Sequence, residues 1–525
     1  MRRLPHPPRC RSLTTGTTRA VHLPLLTIIT FLPLVGALAL LAIRGEAAFV
    51  ERTARTVALG VSLLVLLLAA ILWIRFVPGQ AGFQFEDRTD WMPGFGISYH
   101  LGLDGISLLF VVLTAAITPL SILASGRVGI TRLRDYLVAI LALETTLLGL
   151  FSALDFVVFY VFYEATLIPG SLLIGIWGGP KRVYASIKFF LFTFGGSLFM
   201  LLALLAMWHI TGTTDIPTLL HTHFAPAIQA WMFLGLVLAF GVKLPLFPLH
   251  GWLPDAYTEA PSAATAMLSG VLAKAGAYGF LRFVISMLPD ASHRYAPFMI
   301  ALGIIAVIYA AIVALAQADM KRLIAYSSFS HMGLVLVGLF TLNATGIDGA
   351  VFVMLSHGII IAGLFFIVAI LAGRTDSRMV QGFGGVAGRM PVLATLAMLF
   401  TMANIGLPGT GSFVGELLVM IGAIHVGFWV ALFSGMAMIL GAVYMLVLYR
   451  RVMFDTAIGG ASGLVGVLRD LSPREIALLA PLAFVVLWMG IYPSSFTRVF
   501  DPSVGALVSG PIQAAQVSAN AASPG

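Results

Sequence analysis

Apolar runs about as long as a bilayer is thick follow one another along almost the entire chain. Because an α-helix needs about 20 apolar residues to cross the hydrocarbon core, we predict about fourteen membrane-spanning helices. The predicted spans lie near residues 24–43, 56–76, 103–125, 133–153, 155–177, 184–209, 228–250, 262–288, 297–316, 320–341, 347–372, 391–425, 427–449 and 474–492. The pattern therefore predicts an all-α polytopic membrane protein without a separate soluble domain.

Spans 7 and 12 are longer than a bilayer requires, and prolines interrupt both. The first contains Lys243, Pro245 and Pro248, and the second contains Gly406 and Pro408. The two spans lie an odd number of crossings apart, so they run in opposite directions. Interrupted helices at corresponding places in two halves indicate an inverted repeat. The predicted divisions are a basic N-terminal extension (1–22), three N-terminal helices (23–130), a first five-helix unit of helices 4–8 (131–290), a second five-helix unit of helices 9–13 (291–453) and a final helix with a C-terminal tail (454–525).

Composition and charge support a membrane location. Hydrophobic residues make up 59% of the chain and charged residues 10%, whereas a soluble domain has about 25% charged residues. Lysine and arginine lie mostly in the loops after odd-numbered spans, which predicts that these loops are cytoplasmic. We therefore expect a multi-pass protein of a bacterial inner membrane, or of the mitochondrial inner membrane in a eukaryote, with both termini on the periplasmic side. The net charge of +8 fits this orientation and does not indicate nucleic acid as a partner.

The N-terminal extension is basic but has no apolar core, so we do not interpret it as a secretory signal. A misassigned start codon is the favoured interpretation, and a transit peptide is the alternative. Cys10 is the only cysteine, which excludes disulfides, iron–sulfur clusters and Cys-based metal sites within one chain.

Ionisable residues inside the predicted spans are the candidate functional groups, because a charge at bilayer depth is costly and usually marks an ion path. The main candidates are Glu164, Lys243, Lys274, His331, His357 and Glu416, and the weaker candidates are Glu144, Lys188 and His250. We predict that Glu164 and Lys243 stabilise each other's charged forms. Lys274 is expected to load and release a proton, and histidine can relay one through either ring nitrogen. The structural alternative is a set of static buried charges that tie helices together.

Two patterns that could indicate a cofactor or a metal fail on inspection. Residues 409–415 are rich in glycine, but no strand precedes them, so we reject a nucleotide-binding loop. His221 and His223 lie in a loop without further ligands, and we expect no metal site there. We also expect no NAD, flavin or haem in this chain.

Five long blocks of the sequence resemble one family of membrane proteins. They read FYEATLIPGSLLIGIWG, VKLPLFPLHGWLPDAYTEAPSAATAMLSGVLAKAGAYG, ADMKRLIAYSSFSHMG, MLSHGIIIAGLFF and GLPGTGSFVGE. Over about residues 24–495 the chain resembles the antiporter-like membrane subunits of NADH–quinone oxidoreductase, respiratory complex I. The resemblance implies an inverted repeat of two five-helix units with helices 7 and 12 broken. It also implies proton pumping without a cofactor in this subunit, while partner subunits hold the FMN, the Fe–S clusters and the quinone.

The resemblance also assigns roles to the candidate residues. It implies that Glu164 and Lys243 form a coupling ion pair and that Lys274 is a central relay. It also implies that His331 and His357 are connecting histidines and that Glu416 is the terminal site. Sister chains L and N typically carry lysine where this chain has Glu416. The resemblance therefore favours the chain M branch of the family, with chains L and N as flanking partners in the lipid bilayer.

Two other functions stay open at this stage. The first is a subunit of an Mrp-type cation/proton antiporter or of a membrane-bound hydrogenase, in which sodium could replace protons. The second is a structural membrane spacer whose buried charges are static. Co-purification with an NADH-oxidising complex would distinguish a complex I subunit from the first alternative. Normal pumping by a Lys274→Ala variant would favour the second alternative.

Overall fold

The computed structural model describes residues 24–80, 82–125, 130–455 and 468–509. Within these residues, 13 helices are long and apolar enough to cross a membrane, and two shorter apolar helices, Pro391–Ile405 and Gly411–Val426, accompany them. The all-α polytopic fold is therefore confirmed. The division into five segments stays a prediction, and its N-terminal extension lies outside the described residues.

The first half of the chain begins with two long helices and a β-hairpin, and helices follow from there. The elements are α1 (Leu25–Ala42), α2 (Ala47–Arg75), β1 (Gln84–Met92), β2 (Ile97–Leu103), α3 (Gly105–Ala124), α4 (Leu133–Ser152), α5 (Phe156–Ala165), α6 (Leu167–Trp177), α7 (Arg182–Thr211), α8 (Ile216–Leu220), α9 (Pro226–Lys243), α10 (Trp252–Glu259), α11 (Ser262–Met267) and α12 (Lys274–Gly279). Two π-helical turns, Leu268–Leu272 and Phe280–Ile285, flank α12 and make α11 and α12 one continuous span.

The second half of the chain is helical apart from short 3₁₀ turns. Its helices are α13 (Pro289–Leu315), α14 (Met320–Phe340), α15 (Ala344–Thr375), α16 (Pro391–Ile405), α17 (Gly411–Val426), α18 (Phe428–Met453), the final spanning helix (Pro473–Ile491) and the C-terminal helix (Ser494–Leu507). Side-chain caps explain several of the starts. Asp319 accepts a hydrogen bond from the Lys321 amide at 2.8 Å, and Asn343 accepts one from the Gly346 amide at 2.9 Å. Each cap satisfies a donor that the first helical turn leaves free.

Both predicted interruptions are present. Helix α9 ends at Lys243, and the chain then turns through Pro245 and Pro248 before α10 begins. The Trp252 indole donates a hydrogen bond of 2.8 Å to the Val242 carbonyl, which gives that carbonyl a partner near the end of the helix. Helix α16 ends before Gly406, whose φ of +86° suits a residue without a side chain. Such breaks at membrane depth need a protein environment that satisfies the freed backbone groups.

Burial divides the bundle into central and peripheral helices. In the most apolar stretch of the α11–α12 span, of α14 and of α15, every residue is buried. In the corresponding stretches of α2 and α18, only 28% of the residues are buried. The peripheral helices therefore present apolar faces to their surroundings, as expected in lipid. The central helices carry most of the candidate residues, so these residues lie in the interior of the protein.

The sequence analysis does not predict the β-hairpin, because it only places residues 77–102 between spans 2 and 3. Strands β1 and β2 pair antiparallel, with Arg88 opposite His100. The amphipathic C-terminal helix likewise lies in the segment that the sequence analysis predicts to be a tail. Both elements are short, and their charged residues hide the apolar pattern that identifies the spans.

Candidate functional site

The central helices bring four of the six main candidates into one row. Lys274 Nζ lies 2.9 Å from His357 Nδ1. The rings of His357 and His331 have centroids 5.0 Å apart, and His331 Nε2 lies 3.5 Å from Glu416 Oε1. All four residues are buried. The sequence separates them by up to 142 positions, and only the packing of α12, α14, α15 and α17 aligns them.

Lys274 occupies an irregular point in its span. The π-helical turn Leu268–Leu272 precedes it, and the Ser269 carbonyl of that turn accepts a hydrogen bond of 2.6 Å from Lys274 Nζ. A π turn shifts the backbone bonding pattern and is frequent at functional sites. Lys274 is 0% exposed, so its ammonium group depends on the carbonyl and on His357 for hydrogen bonds.

His331 is held by acceptors on both sides. Its Nδ1 lies 2.8 Å from the Ser327 carbonyl, and its Nε2 lies 3.1 Å from the Asn404 carbonyl. Because a carbonyl oxygen can only accept, this geometry suits a ring that carries a proton on each nitrogen. The nearby Glu416 carboxylate is the matching counter-charge.

The break between α16 and α17 completes the surroundings of Glu416. Ser412, in the first turn of α17, donates a hydrogen bond of 2.6 Å to Glu416 Oε1. Glu416 Oε2 is buried and has no hydrogen-bond partner among the described residues. Asn404, near the end of α16, also donates to Ser327 at 3.0 Å, and Ser327 contacts the Tyr444 hydroxyl at 2.9 Å. The interrupted helix thus supplies polar groups to the end of the row.

Glu164 and Lys243 lie near each other but do not form the predicted direct ion pair in this structure. Lys243 Nζ instead donates a hydrogen bond of 2.9 Å to Thr166 Oγ1 and lies 4.6 Å from the centroid of the Tyr163 ring. Thr166 stands at the junction of α5 and α6, two residues after Glu164. Glu164 is half-buried, and its Oε1 has no hydrogen-bond partner in the described part of the chain. Its charge acts on Lys243 only over a longer distance.

The weaker candidates lie apart from the row. Both carboxylate oxygens of Glu144 are buried without a hydrogen-bond partner among the residues described, although Thr118 is close by. Lys188 forms an ion pair of 2.8 Å with Asp255 at one end of the bundle. His250 stacks on Phe329 with ring centroids 4.4 Å apart. Within the described part of the chain, no hydrogen bond or ion pair joins these three residues to the row.

The structure adds a buried ion pair that the sequence analysis missed. Arg282 Nη2 lies 2.7 Å from Asp104 Oδ2, and Arg282 Nε donates a hydrogen bond of 3.3 Å to the Tyr278 hydroxyl. Asp104 and Arg282 line a cavity of about 840 Å³. Arg282 falls inside a predicted span, so the rule that singled out Lys274 could have found it. Asp104 sits at the edge of a span and gave no such signal.

A second missed network lies outside the membrane-spanning helices. His100 on β2 contacts Asp215 through Nδ1 at 2.9 Å and Glu86 through Nε2 at 3.0 Å. Burial opposes the positive charge of His100, but the hydrogen bonds with both carboxylates raise its pKa above the usual range. Burial acts against the charge of Asp215 as well, yet its hydrogen bonds with His100 and Thr218 lower its pKa to about 2. The network ties the hairpin to the segment after α7.

Comparisons with known proteins agree with the long blocks of the sequence. The family model described as NADH:quinone oxidoreductase/Mrp antiporter, TM, matches residues 153–441. The NADH-quinone oxidoreductase subunit M of Rhodobacter capsulatus is 45% identical over 92% of this chain and 96% of its own length. The NADH-ubiquinone oxidoreductase chain 4 of Chondrus crispus is 42% identical over 90% of this chain and 95% of its own length.

Two solved structures have a similar fold. A chain of the respiratory complex I from Thermus thermophilus with bound NADH aligns with a TM-score of 0.84 and 32% identity, covering 93% of this chain and 99% of that chain. A chain of the Mrp complex from Dietzia sp. DQ12-45-1b aligns with a TM-score of 0.81 over 94% of this chain and 100% of that chain. Its identity is 21%, so it shows the fold alone.

Proposed function

The chain belongs to the family of subunit M and chain 4 of the NADH–quinone oxidoreductases, and we propose that it translocates protons in the membrane arm of such a complex. The observation that carries the proposal is the continuous row of Lys274, His357, His331 and Glu416. Electron transfer from NADH to quinone belongs to other subunits, which we propose hold the FMN, the Fe–S clusters and the quinone site. This subunit uses no redox centre of its own.

The family membership also guides the proposed surroundings. We propose that the chain lies in a bacterial inner membrane, or a mitochondrial one, with both termini on the periplasmic side because the basic loops follow odd-numbered spans. Sister chains L and N are the proposed neighbours. The carboxyl group at Glu416 and the identity of 45% to a subunit M favour this assignment over an Mrp-type antiporter subunit.

Coupling starts at Glu164 and Lys243 in this proposal. A change in a neighbouring subunit moves the partly exposed Glu164 toward or away from Lys243. Two unit charges about 4 Å apart interact by about 4 kcal/mol at an effective dielectric constant of about 20. Moving one charge against 100 mV costs about 2.3 kcal/mol. Closing and opening the ion pair therefore changes the energy of the Lys243 charge by enough to drive one proton.

The row then conducts the charge away from Lys243. A proton reaching Lys274 passes from its Nζ to His357 Nδ1, and His357 releases another proton from its Nε2. That nitrogen is buried and has no hydrogen-bond partner among the described residues, so a water molecule would bridge it to His331. His331 gives its Nε2 proton to Glu416, and the neutral ring can then accept the proton that the water carries from His357. The break between α16 and α17 gives the carboxyl group of Glu416 a polar environment. Each transfer moves one proton and leaves the donor ready to reload.

The test compares proton pumping and NADH oxidation in the same purified complex. The complex is isolated through a tag on this chain and reconstituted in liposomes as wild type, as Lys243→Ala, and as Lys181→Ala. Lys181 is an exposed lysine of the loop after span 5 and serves as the matched control. We expect the Lys243→Ala complex to assemble but lose NADH-driven acidification, while the control pumps normally.

Two results would contradict the proposal. Normal acidification by the assembled Lys243→Ala complex would refute the coupling role of Lys243. A preparation without NADH oxidation that exchanges protons for sodium along an imposed gradient would instead establish the antiporter function.

A further inference from the structure

An apolar groove runs along the outside of the bundle between α2, α3 and the final spanning helix. Its cavity has a volume of about 450 Å³, and its lining is almost entirely aliphatic and aromatic. On α2 the lining extends from Leu59 to Trp73, which is about 21 Å at about 1.5 Å per residue. Since one leaflet contributes about half of the roughly 30 Å hydrocarbon core, the groove is long enough for an acyl chain that enters from one membrane surface.

The two ends of the groove differ in chemistry. Trp73 stacks on Trp488 at one end, with ring centroids 6.1 Å apart, and Phe496 contacts both rings. At the other end, Leu123 also lines a smaller cavity of about 100 Å³ that includes Arg374 and Glu475. Tryptophan is typical of the membrane–water interface. The groove thus passes from an aromatic end to a basic end.

Two arginine side chains at the basic end have a buried N–H group without a hydrogen-bond partner among the described residues. Arg374 Nη2 donates to Glu475 at 2.8 Å, but its Nη1 is buried and has no hydrogen-bond partner among the residues described. Arg55 lies one turn before Leu59 on α2, and its Nε is likewise buried without such a partner. Arg474, whose guanidinium donates to the Leu123 carbonyl, lines the same small cavity.

The two carboxylates next to Arg374 already have hydrogen-bond partners within the described residues. Glu475 pairs with Arg374 and also accepts hydrogen bonds from the amide and hydroxyl groups of Ser472. The Asp470 carboxylate accepts from the amides of Val392 and Leu393 at the start of α16. Buried guanidinium N–H groups are costly when they lack an acceptor. An anionic ligand with several oxygens would satisfy them.

We propose that this groove binds an anionic glycerophospholipid, with its phosphate at Arg55, Arg374 and Arg474 and one acyl chain between α2, α3 and the final spanning helix. Arginine binds phosphate oxygens through charge-assisted hydrogen bonds, often two at a time. Basic pockets between transmembrane helices are a recurring place for lipid head groups. A quinone tail or an apolar helix of a partner would fill the groove but leave Arg374 Nη1 and Arg55 Nε without acceptors.

Photocrosslinking in the assembled complex tests the proposal directly. A benzophenone amino acid is introduced at Leu63, which lines the groove, and separately at Leu64, which is exposed on α2 but does not line it. After irradiation in native membranes, the complex is purified and the adducts are identified by mass spectrometry. We expect adducts of anionic glycerophospholipids to be enriched at position 63 relative to position 64.

The head-group contact is tested by replacing one arginine with a neutral residue. In the Leu63 background, Arg55→Gln should lower the anionic share of the lipid adducts about fivefold, which corresponds to about 1 kcal/mol. Arg52→Gln, on the exposed side of the same helix, should leave it unchanged. Equal lipid classes at positions 63 and 64, or a crosslink to another subunit's peptide at position 63, would overturn the proposal. An unchanged anionic share of the lipid adducts in Arg55→Gln would show that Arg55 does not contact the head group, and it would refute the proposed recognition of the phosphate.

Discussion

Replacing Glu416 by glutamine tests the far end of the row. Glutamine keeps the size of the side chain but removes the negative charge that faces His331 Nε2 at 3.5 Å. For unit charges at this distance the interaction is about 5 kcal/mol at an effective dielectric constant of about 20. Losing even half of it, about 2.5 kcal/mol, from a proton-transfer step slows that step about 70-fold, because each 1.36 kcal/mol is about tenfold in rate. We therefore expect transfer through this subunit to stop contributing to pumping.

The assay measures protons pumped per NADH oxidised in proteoliposomes. The Glu416→Gln complex should assemble, because the Ser412 hydroxyl can still donate to the amide oxygen and the packing is preserved. The variant should nevertheless lower the ratio, because the negative charge opposite His331 is lost. Glu416→Asp, which keeps the charge, should restore part of the ratio. Glu51→Gln, at an exposed carboxylate on α2, is the matched control. An unchanged ratio in an assembled Glu416→Gln complex would refute the reasoning.

Three further predictions concern the structure around the row. The pKa of His100 is higher in the folded hairpin than in the unfolded chain. The His100 network therefore stabilises the hairpin fully below the unfolded pKa of about 6.5. This stabilisation is lost as pH rises through the higher folded pKa. The protection of residues 84–103 against hydrogen exchange, relative to the intrinsic rate at each pH, should therefore fall at alkaline pH in the wild type but not in His100→Gln, and a pH-independent difference between the two would contradict this. Arg282→Ala leaves Asp104 buried without its partner and should cost about 3–5 kcal/mol, visible as a lower melting temperature of the complex, whereas an unchanged melting temperature would show that the pair is dispensable. Gly276→Ala places a Cβ 2.5 Å from the Leu244 amide nitrogen and should destabilise by about 1–3 kcal/mol, while Gly195→Ala, which meets nothing within 4 Å, should not.

The row also bears on the alternative of static buried charges. A structural ion pair satisfies its hydrogen-bonding groups, as Asp104 and Arg282 do. One oxygen of Glu164 (Oε1), one oxygen of Glu416 (Oε2) and the Nε2 of His357 instead lack hydrogen-bond partners within the described chain. Unsatisfied buried polar atoms are rare in proteins and call for a function or a bound water. This contrast favours groups that exchange protons.

The sequence by itself determined the class of protein, the approximate spans, the two interrupted helices and the residue types of the site. It could do so because lipid offers no hydrogen bonds, so each crossing must be a helix of predictable length. The same solvent makes Lys243, Lys274 and Glu416 conspicuous, since an ionisable group at that depth is expensive. Prolines reveal the breaks because they remove a backbone donor.

Only the tertiary structure decided which of these groups touch. Lys274 and His357 meet through the packing of two buried helices, and the carbonyl groups that hold His331 come from its own helix and from the end of α16. The same packing leaves Lys243 on Thr166 and away from Glu164. Hydrophobic periodicity specifies that a helix is buried, but contacts within hydrogen-bond distance depend on how each helix is rotated and shifted against its neighbours. Those relations arise from side chains far apart in the chain, and no local pattern encodes them.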